Sequence, residues 1–433
     1  MIIKNIYLFD GTPLRERSSL KIGENGTILS IAREITPAPD EEIIDGNGMI
    51  ALPGITDAHR HVWQGPFCGF AADMLLLEYL EKINTQIGQK ISAEDLYYIN
   101  LYGYLSAVDN GICTVFDWSH IMNSPEHADA ALKAAADSGM NVLFFHSTSS
   151  FERERYWNNS STTHHPDAVR IIENSSGYRN VKAGLGIRGP EFASMEVNKA
   201  DIELARSLGC PVSMHIGSAF LGTLVKPVLQ LQEADLLNTD LNLVHCSTLS
   251  SDEYRLIADA GCLVTITPEA EMQTALGHPA AKFICDYKHA KWSVGTDIPS
   301  GSTDSMIYQQ RLLLQLARAA DNQVSIDKFS FPEKISFNAN DFFFESSRHA
   351  NKYAGFNVSE KIETGKLANF SLLKWQSLEG SAFASYPAFY YMQEANIDLT
   401  VLNGTIVKKD GLWLKHDMEG LCSQIKEIVR RIL

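Results

Sequence analysis

Four separated parts of the chain carry histidine or aspartate in positions from which they could share one metal ion. His59 and His61 are two residues apart, and His215, His245 and Asp297 each follow a short apolar run. Side chains two apart on a strand point to the same side, so His59 and His61 can bind one ion together. Imidazoles with one carboxylate suit zinc, or divalent iron or manganese. The sequence therefore predicts a mononuclear metal site.

These residues lie in a long middle region that alternates apolar strands with amphipathic helices. The eight candidate strands are residues 50–52 (continuing through 53–58 into His59), 113–116, 142–145, 183–187, 212–214, 241–244, 263–266 and 292–294. Eight short buried strands that alternate with helices favour a closed parallel barrel over an open sheet. The predicted fold class is therefore α/β, with a (β/α)8 TIM barrel.

A barrel of this kind would place the histidines and the aspartate at the same end of the fold. Catalytic residues of such barrels sit at the carboxyl ends of the strands. A single histidine at a strand end is usually just a hydrogen-bonded residue, and one His-x-His pair is weak evidence. Here ligand-type residues fall at the ends of strands one, five, six and eight together, which chance explains poorly.

The sequence patterns at both chain ends predict a small β domain. Residues 1 to about 50 are near-alternating runs broken by Asp10-Gly11 and Asn25-Gly26, and a similar pattern returns at 369–373 and 399–407. Such runs around Asn-Gly and Asp-Gly predict hairpins. We expect a β-sandwich domain built from residues 1–52 and 365–433, with a terminal helix from Met418, around a barrel of residues 53–364.

Composition limits the function classes. The 433 residues carry a net charge of −15, which argues against nucleic acid or an anionic membrane as the main partner. No apolar run approaches the roughly 18 residues of a membrane span, and no secretory leader is evident. The seven cysteines show no C-x-x-C spacing, as expected of reduced thiols. These features predict a cytoplasmic enzyme that acts on a small molecule.

The motifs resemble those of the amidohydrolase superfamily, in the branch with cytosine and guanine deaminases and triazine chlorohydrolases. The matching residues are Pro53-Gly54-x-x-Asp57-x-His59-x-His61, His215, His245 and Asp297, in that order. The resemblance covers essentially the whole chain. It implies that His59, His61, His215 and Asp297 bind one divalent ion, zinc first, with iron or manganese as alternatives. It also implies a role for His245 at the substrate or the activated water, and by analogy a homodimer.

One position departs from the deaminase pattern. Deaminases of this branch usually carry glutamate three residues after the fifth-strand histidine, where this chain has Ser218. A serine hydroxyl cannot collect and return a proton at neutral pH as a carboxylate can. Glu191 and Glu269 are the candidates to replace it, although each could equally be a surface or helix-capping carboxylate.

Other residues are expected to shape the substrate pocket. Trp63 would supply a stacking face and Gln64 an amide, His120 a hydrogen bond, and Arg188 a planar fork for a carboxylate or carbonyl pair. His146 has a structural role as at least an equal alternative. The His164-His165 pair is expected in a surface segment rather than in a second metal site.

The resulting hypothesis is a metal-dependent hydrolase of C–N bonds other than peptide bonds. Asp297 would take the proton as water attacks an electron-poor carbon, and His245 would stabilise the oxyanion. Hydrolytic deamination of a purine, pyrimidine, pterin or triazine-like heterocycle is the first hypothesis. Hydrolysis of a cyclic amide, as in imidazolonepropionase-like relatives, is the alternative, and a catalytically silent scaffold protein is the third.

Overall fold

The computed structural model describes residues 1–14, 16–149, 152–156, 159–374 and 389–433. Of the predicted C-terminal part of the β domain, residues 375–388 lie outside the described residues. The strands are β1 (Ile2–Leu8), β2 (Ser18–Ile22), β3 (Ile28–Ala32), β4 (Ile43–Asp45), β5 (Ile50–Pro53), β6 (Ile55–Arg60), β7 (Ile112–Ser119), β8 (Asn141–His146), β9 (Val181–Ile187), β10 (Val212–Ile216), β11 (Leu241–His245), β12 (Leu263–Ile266), β13 (Lys291–Val294), β14 (Phe370–Leu373), β15 (Ile397–Leu402), β16 (Thr405–Lys409) and β17 (Leu412–Trp413).

The α-helices lie mostly between the strands of the middle region. They are α1 (Leu76–Tyr79), α2 (Ala93–Asp109), α3 (Pro125–Asp137), α4 (Arg153–Tyr156), α5 (Asp167–Ser175), α6 (Met195–Ser207), α7 (Ala219–Val225), α8 (Pro227–Glu233), α9 (Ser251–Ala260), α10 (Pro268–Gln273), α11 (Ala281–Asp286), α12 (Met306–Asp327), α13 (Ala339–Ala354) and α14 (Met418–Ile432). A 3₁₀ segment (Val62–Phe67) follows β6, and a π-helical segment (Leu80–Ile87) continues α1. The terminal helix predicted from Met418 is α14.

The predicted eight-stranded barrel is confirmed. Strands β6 to β13 pair in chain order, each parallel to the next. Their residues are almost all buried, as expected for a parallel sheet covered by helices. Two backbone hydrogen bonds close the ring: Asp297 N donates to His59 O at 2.9 Å, and His61 N donates to Asp297 O at 2.7 Å.

The small β-sandwich from both chain ends is also confirmed. β5 pairs with β1 from the first segment and with β14 from the last, and a separate core that includes Ile3, Leu20, Phe370 and Val401 fills it. Residues 50–52 therefore lie in this domain, within the predicted range 1–52, and counting them as the start of the first barrel strand was wrong. The first barrel strand is β6, because Gly54 separates two apolar runs that read as one.

Helix ends follow local sequence signals. Ser250 and Glu253 form a capping box at the start of α9, each accepting a hydrogen bond from the other's backbone N–H. The same helix ends at Gly261, which adopts a left-handed conformation with φ +69°. Among the described helices, none combines the length and the apolar character needed to cross a membrane.

Candidate active site

The barrel brings four of the predicted ligands together at the carboxyl ends of its strands. The Nε2 atoms of His59 and His61 lie 3.3 and 3.2 Å from Asp297 Oδ1, and His59 Nε2 lies 3.2 Å from His215 Nε2. These residues come from β6, β10 and the turn after β13, so parts of the chain more than 200 residues apart supply one cluster.

The donor set fits a divalent ion of the size of zinc. Ligand bonds of about 2.0–2.1 Å in a tetrahedral site place neighbouring donor atoms about 3.3–3.4 Å apart, close to the spacing found here. Burial lowers the pKa of His59 to about 4 and that of His215 well below its ordinary value, which keeps both rings neutral. Neutral imidazole is the form that binds metals.

Asp297 stays ionised beside these rings. Burial by itself would raise its pKa, but the close approach of His59 and His61 outweighs burial and lowers the pKa well below the usual value. A carboxylate held between two imidazoles supplies the one negative charge of the cluster. The cluster therefore has the donors and the charge that could hold a cation.

Hydrogen bonds behind the cluster fix the direction of its rings. His61 Nδ1 donates to Trp118 O at 2.8 Å, which leaves the lone pair of Nε2 facing the other donors. Asp57 accepts from both the N–H and the hydroxyl of Thr296, one residue before Asp297.

The buried Arg60 joins that layer, 2.9 Å from Asp304 Oδ1 and 3.8 Å from Asp57 Oδ2. Removal of such supports typically weakens metal affinity or activity about 10–100-fold.

His245 lies beside the donor cluster and has its own support. Its Nδ1 is 3.0 Å from Thr267 Oγ1 and 3.3 Å from Glu271 Oε1, and the Glu271 side chain is fully buried. Burial opposes protonation of His245, but the Glu271 hydrogen bond and the Asp297 charge outweigh it, so the pKa of His245 is raised. Sequence reasoning missed Glu271, although it stands two residues after Glu269.

Two strand ends turn into the site through unusual backbone conformations. His245 has φ +77° and Asp297 has φ +64°, in the left-handed region that residues other than glycine rarely adopt. Such conformations cost about 1–3 kcal/mol each and concentrate at functional sites. Packing elsewhere in the barrel holds these two side chains where a relaxed strand end would not.

The cluster forms the floor of a cavity of about 510 Å³. This volume is within the range of about 300–1,000 Å³ that is typical of small-molecule sites. Of the candidate substrate-binding residues, His120 and Arg188 line it; the other described lining residues are His61, Leu75, Leu76, Leu77, Tyr79, Leu80, Asn84, Trp118, Thr148, Phe192, His215, Ser218, Ala219, Phe220, Leu221, His245, Thr274, Ala275, Leu276, Asp297 and Ile298.

Trp63 and Gln64 lie behind the cavity wall rather than on it. Both are fully buried, in the 3₁₀ segment that follows β6. Trp63 Nε1 donates to His120 Nδ1 at 3.4 Å, and Gln64 Nε2 donates to Tyr79 Oη at 2.6 Å. Each therefore acts on the cavity through a neighbour, whereas the sequence suggested direct contact with a substrate.

The Arg188 guanidinium is engaged by the protein itself. Its Nη1 and Nη2 donate to the backbone oxygens of Tyr156 and Thr162, and Asp201 Oδ2 lies 3.6 Å away. Only 2% of the side chain is exposed. Arg188 thus ties the backbone at Tyr156 and Thr162 to the barrel while forming part of the wall.

Ser218 and Glu191 meet beside the cavity. Both carboxylate oxygens of Glu191 accept from the backbone N–H of Gly217 at 3.1 Å, and Oε1 accepts from Ser218 N at 3.3 Å. Burial raises the pKa of Glu191 to about 7. A carboxylate from the fourth strand end is therefore adjacent to the position where the usual glutamate is missing.

Glu269 lies elsewhere. Its Oε2 accepts from Thr303 N at 2.8 Å and from Gln309 Nε2 at 2.6 Å, and it is not among the described residues that line the cavity. Those bonds tie α10 to the start of α12. Glu191 is likewise not among the described lining residues, but it accepts from the backbone of Ser218, which lines the cavity, whereas Glu269 does not; the sequence alone did not choose between the two.

A second pair of histidines is buried nearby. His146 Nδ1 lies 3.1 Å from His164 Nε2, and each residue is less than 5% exposed. The expectation that His164 lies in a surface segment was wrong, because the backbone N–H of His164 donates to Asp201 at 2.8 Å and draws the loop inward. His165 is exposed.

Comparison with known proteins agrees with these observations. A model of the amidohydrolase family matches residues 50–407. A 5-methylthioadenosine/S-adenosylhomocysteine deaminase of Dictyoglomus turgidum is 23% identical over 384 residues, covering 86% of this chain and 84% of its own.

Two solved structures share the fold. An adenosine deaminase of Xanthomonas campestris with bound zinc superposes with a TM-score of 0.80 at 17% identity, covering 100% of this chain and 98% of its own. Atrazine chlorohydrolase of Arthrobacter aurescens, complexed with zinc, has a TM-score of 0.76 at 18% identity, covering 99% of both chains.

Proposed function

The chain belongs to the amidohydrolase family, and from this premise we propose that it is a metal-dependent deaminase of a nitrogen heterocycle. One observation carries the proposal: His59 Nε2 lies 3.2 Å from His215 Nε2 and 3.3 Å from Asp297 Oδ1, and His61 Nε2 lies 3.2 Å from the same Asp297 oxygen, at a cavity of substrate size. The substrate is a small molecule, as the size of the cavity requires.

His59, His61, His215 and Asp297 would hold one divalent ion, with zinc the best match to the donor spacing. When bound, such an ion would supply an activated water at neutral pH, because it lowers the pKa of a bound water to about 7. Asp297 accepts a proton from the attacking water. His245, held by Glu271, donates a hydrogen bond to the oxygen that forms on the attacked carbon.

Glu191 takes the part of the missing fifth-strand glutamate. With a pKa raised to about 7 by burial, it exchanges a proton readily near neutral pH. Its position against the amides of Gly217 and Ser218 supports a proton path through the Ser218 hydroxyl to the leaving amine. His120, stacked on His61 with ring centres 3.9 Å apart, offers a hydrogen bond to the ring of the substrate.

Ammonia release tests the proposal. The zinc-loaded protein is incubated with amino-substituted purines, pyrimidines, pterins and triazines, and ammonia is measured by a coupled assay. We expect turnover of at least one class, lost in Asp297→Asn. An Asp297→Asn protein that retains metal and full activity would contradict the proton transfer assigned to Asp297.

Opening of a cyclic amide is the second candidate. The serine at position 218 favours it, because ring opening expels no ammonia and has to protonate only the one nitrogen of the cleaved bond. Loss of ring absorbance without ammonia, on cyclic ureides and imidazolones, would identify this activity in place of deamination.

A further inference from the structure

Three chain segments form one continuous rim around the mouth of the cavity. Leu76 N donates to Thr274 O at 3.1 Å, and Ala219 N donates to Leu276 O at 2.6 Å. These backbone bonds join the start of α1, the turn after α10 and the start of α7. The three segments therefore present their side chains as a single surface.

The rim is apolar and exposed. Leu75, Leu77 and Phe220 line the cavity, and their side chains are 61%, 75% and 71% exposed. Leu224, one turn further along α7, is also 71% exposed. Contiguous exposed apolar side chains of this size mark a binding surface.

The wall between the rim and the floor is apolar as well. Leu80, Leu221, Leu276 and Ile298 line it, and apolar side chains supply most of the lining; Asn84, His120, Thr148 and Ser218 are among the described polar residues there. Asp297 is the one carboxylate among the described lining residues. A sugar diol placed against this wall would lose its hydrogen bonds to water without replacement, which is unfavourable.

Resting on the proposed function, we propose that the substrate is a heterocycle that carries an apolar alkyl or aryl substituent rather than a sugar. The amino-bearing ring lies on the polar floor beside His120 and the donor cluster. The substituent lies along the wall and reaches the rim formed by Leu75, Leu77 and Phe220. This substrate class differs from the nucleosides that the curated relatives are named for.

Binding to the zinc-loaded protein, measured by calorimetry, tests the substrate class without any turnover. The probes are three matched series: adenine, 9-butyladenine and adenosine; cytosine, 1-butylcytosine and cytidine; melamine and N-butylmelamine. We expect a butyl compound to bind at least about 10-fold more tightly than its parent and its nucleoside, with a negative heat-capacity change. Failure of every butyl compound to bind, or nucleosides that bind as tightly as the butyl compounds, would overturn the inference.

Rim variants locate the effect. Leu77→Ser and Phe220→Ser should each weaken the butyl compound about 10-fold and leave the parent heterocycle unchanged. Leu412→Ser is the matched control, because Leu412 is 69% exposed on β17 in the other domain. Equal weakening by the control, or a change of oligomeric state in the rim variants alone, would assign the rim to another role and overturn the inference.

Failure of the inference and failure of the proposed function are distinguishable. A butyl preference in binding without ammonia from any probe leaves the ligand class standing and removes deamination. Ammonia release with a preference for nucleosides would leave deamination standing and would remove the proposed alkyl- or aryl-substituted ligand class.

Discussion

The barrel carries two groups of buried histidines at the same end, and the two groups differ in their surroundings. His59 and His61 lie beside the ionised Asp297, His215 lies beside His59, and His245 lies beside Glu271. The pair of His146 and His164 has no hydrogen bond from either ring to a described carboxylate. Buried imidazoles without a nearby carboxylate form a neutral, structural contact. Imidazoles beside a carboxylate also have the negative charge that could hold a cation.

The largest effect should follow from removing one imidazole of the first group. In His215→Ala we expect loss of the bound ion and of turnover together, because three donors remain where four converge. Metal content after dialysis, measured by mass spectrometry, and ammonia release give the two readouts. His146→Ala is the matched control and should retain about one ion per chain; an equal loss of metal there would erase the difference between the two groups.

The next effect concerns proton transfer. Glu191→Gln should lower kcat about 10²–10⁴-fold while the ion is retained, since an amide cannot carry a proton between water and the leaving group. Glu196→Gln, at an exposed position at the start of α6, provides the control. Undiminished kcat in the Glu191 variant would assign that carboxylate to fixing the Gly217 turn and nothing more.

A smaller effect should come from the support behind His245. Glu271→Gln should lower kcat about 10–100-fold, because Glu271 orients the His245 ring. The double variant with His245→Ala decides the route: if Glu271 acts through His245, adding the second substitution causes no further loss. Additive losses in kcat would mean that Glu271 acts independently.

The smallest effect should appear in stability rather than in turnover. Burial lowers the pKa of His146 to about 4, whereas an unfolded chain has the ordinary value of about 6.5. As pH falls from about 6.5 to 4, the unfolded state takes up a proton that the native state refuses, so native stability declines through that window. At pH 5 the loss is about 2 kcal/mol relative to pH 7.

His146→Gln should remove that part of the acid sensitivity. Urea unfolding at pH 7 and pH 5, followed by tryptophan fluorescence, measures the change, and His289→Gln at an exposed position is the control. Identical pH dependence in wild type and His146→Gln would show that this ring does not stay neutral in the native state.

The meeting of the four donor residues was predictable because strand ends of a parallel barrel share one rim. The neighbours of those residues were harder to place. Trp63 and Gln64 follow His61 directly, but a 3₁₀ turn carries them behind the wall. Glu269 and Glu271 share one short helix, and sequence spacing alone does not say which of them faces His245.

The composition of the cavity wall and the burial of His164 could not be predicted from sequence patterns, for a similar reason. The rim comes from the ends of three helices that are joined by backbone bonds such as that between Leu76 and Thr274. His164 is drawn inward by Asp201, 37 residues later in the chain. Contacts of this kind depend on tertiary geometry, and no local periodicity records them.

The bonds that join β6 to the turn after β13 involve His59, His61 and Asp297 themselves. During synthesis, His59 and His61 are therefore made long before Asp297, the residue that both of them contact. A fragment that ends before Asp297 has neither the two hydrogen bonds that close the barrel nor the carboxylate of the donor cluster. Closure of the barrel and completion of the candidate cation site therefore both depend on the same late segment of the chain.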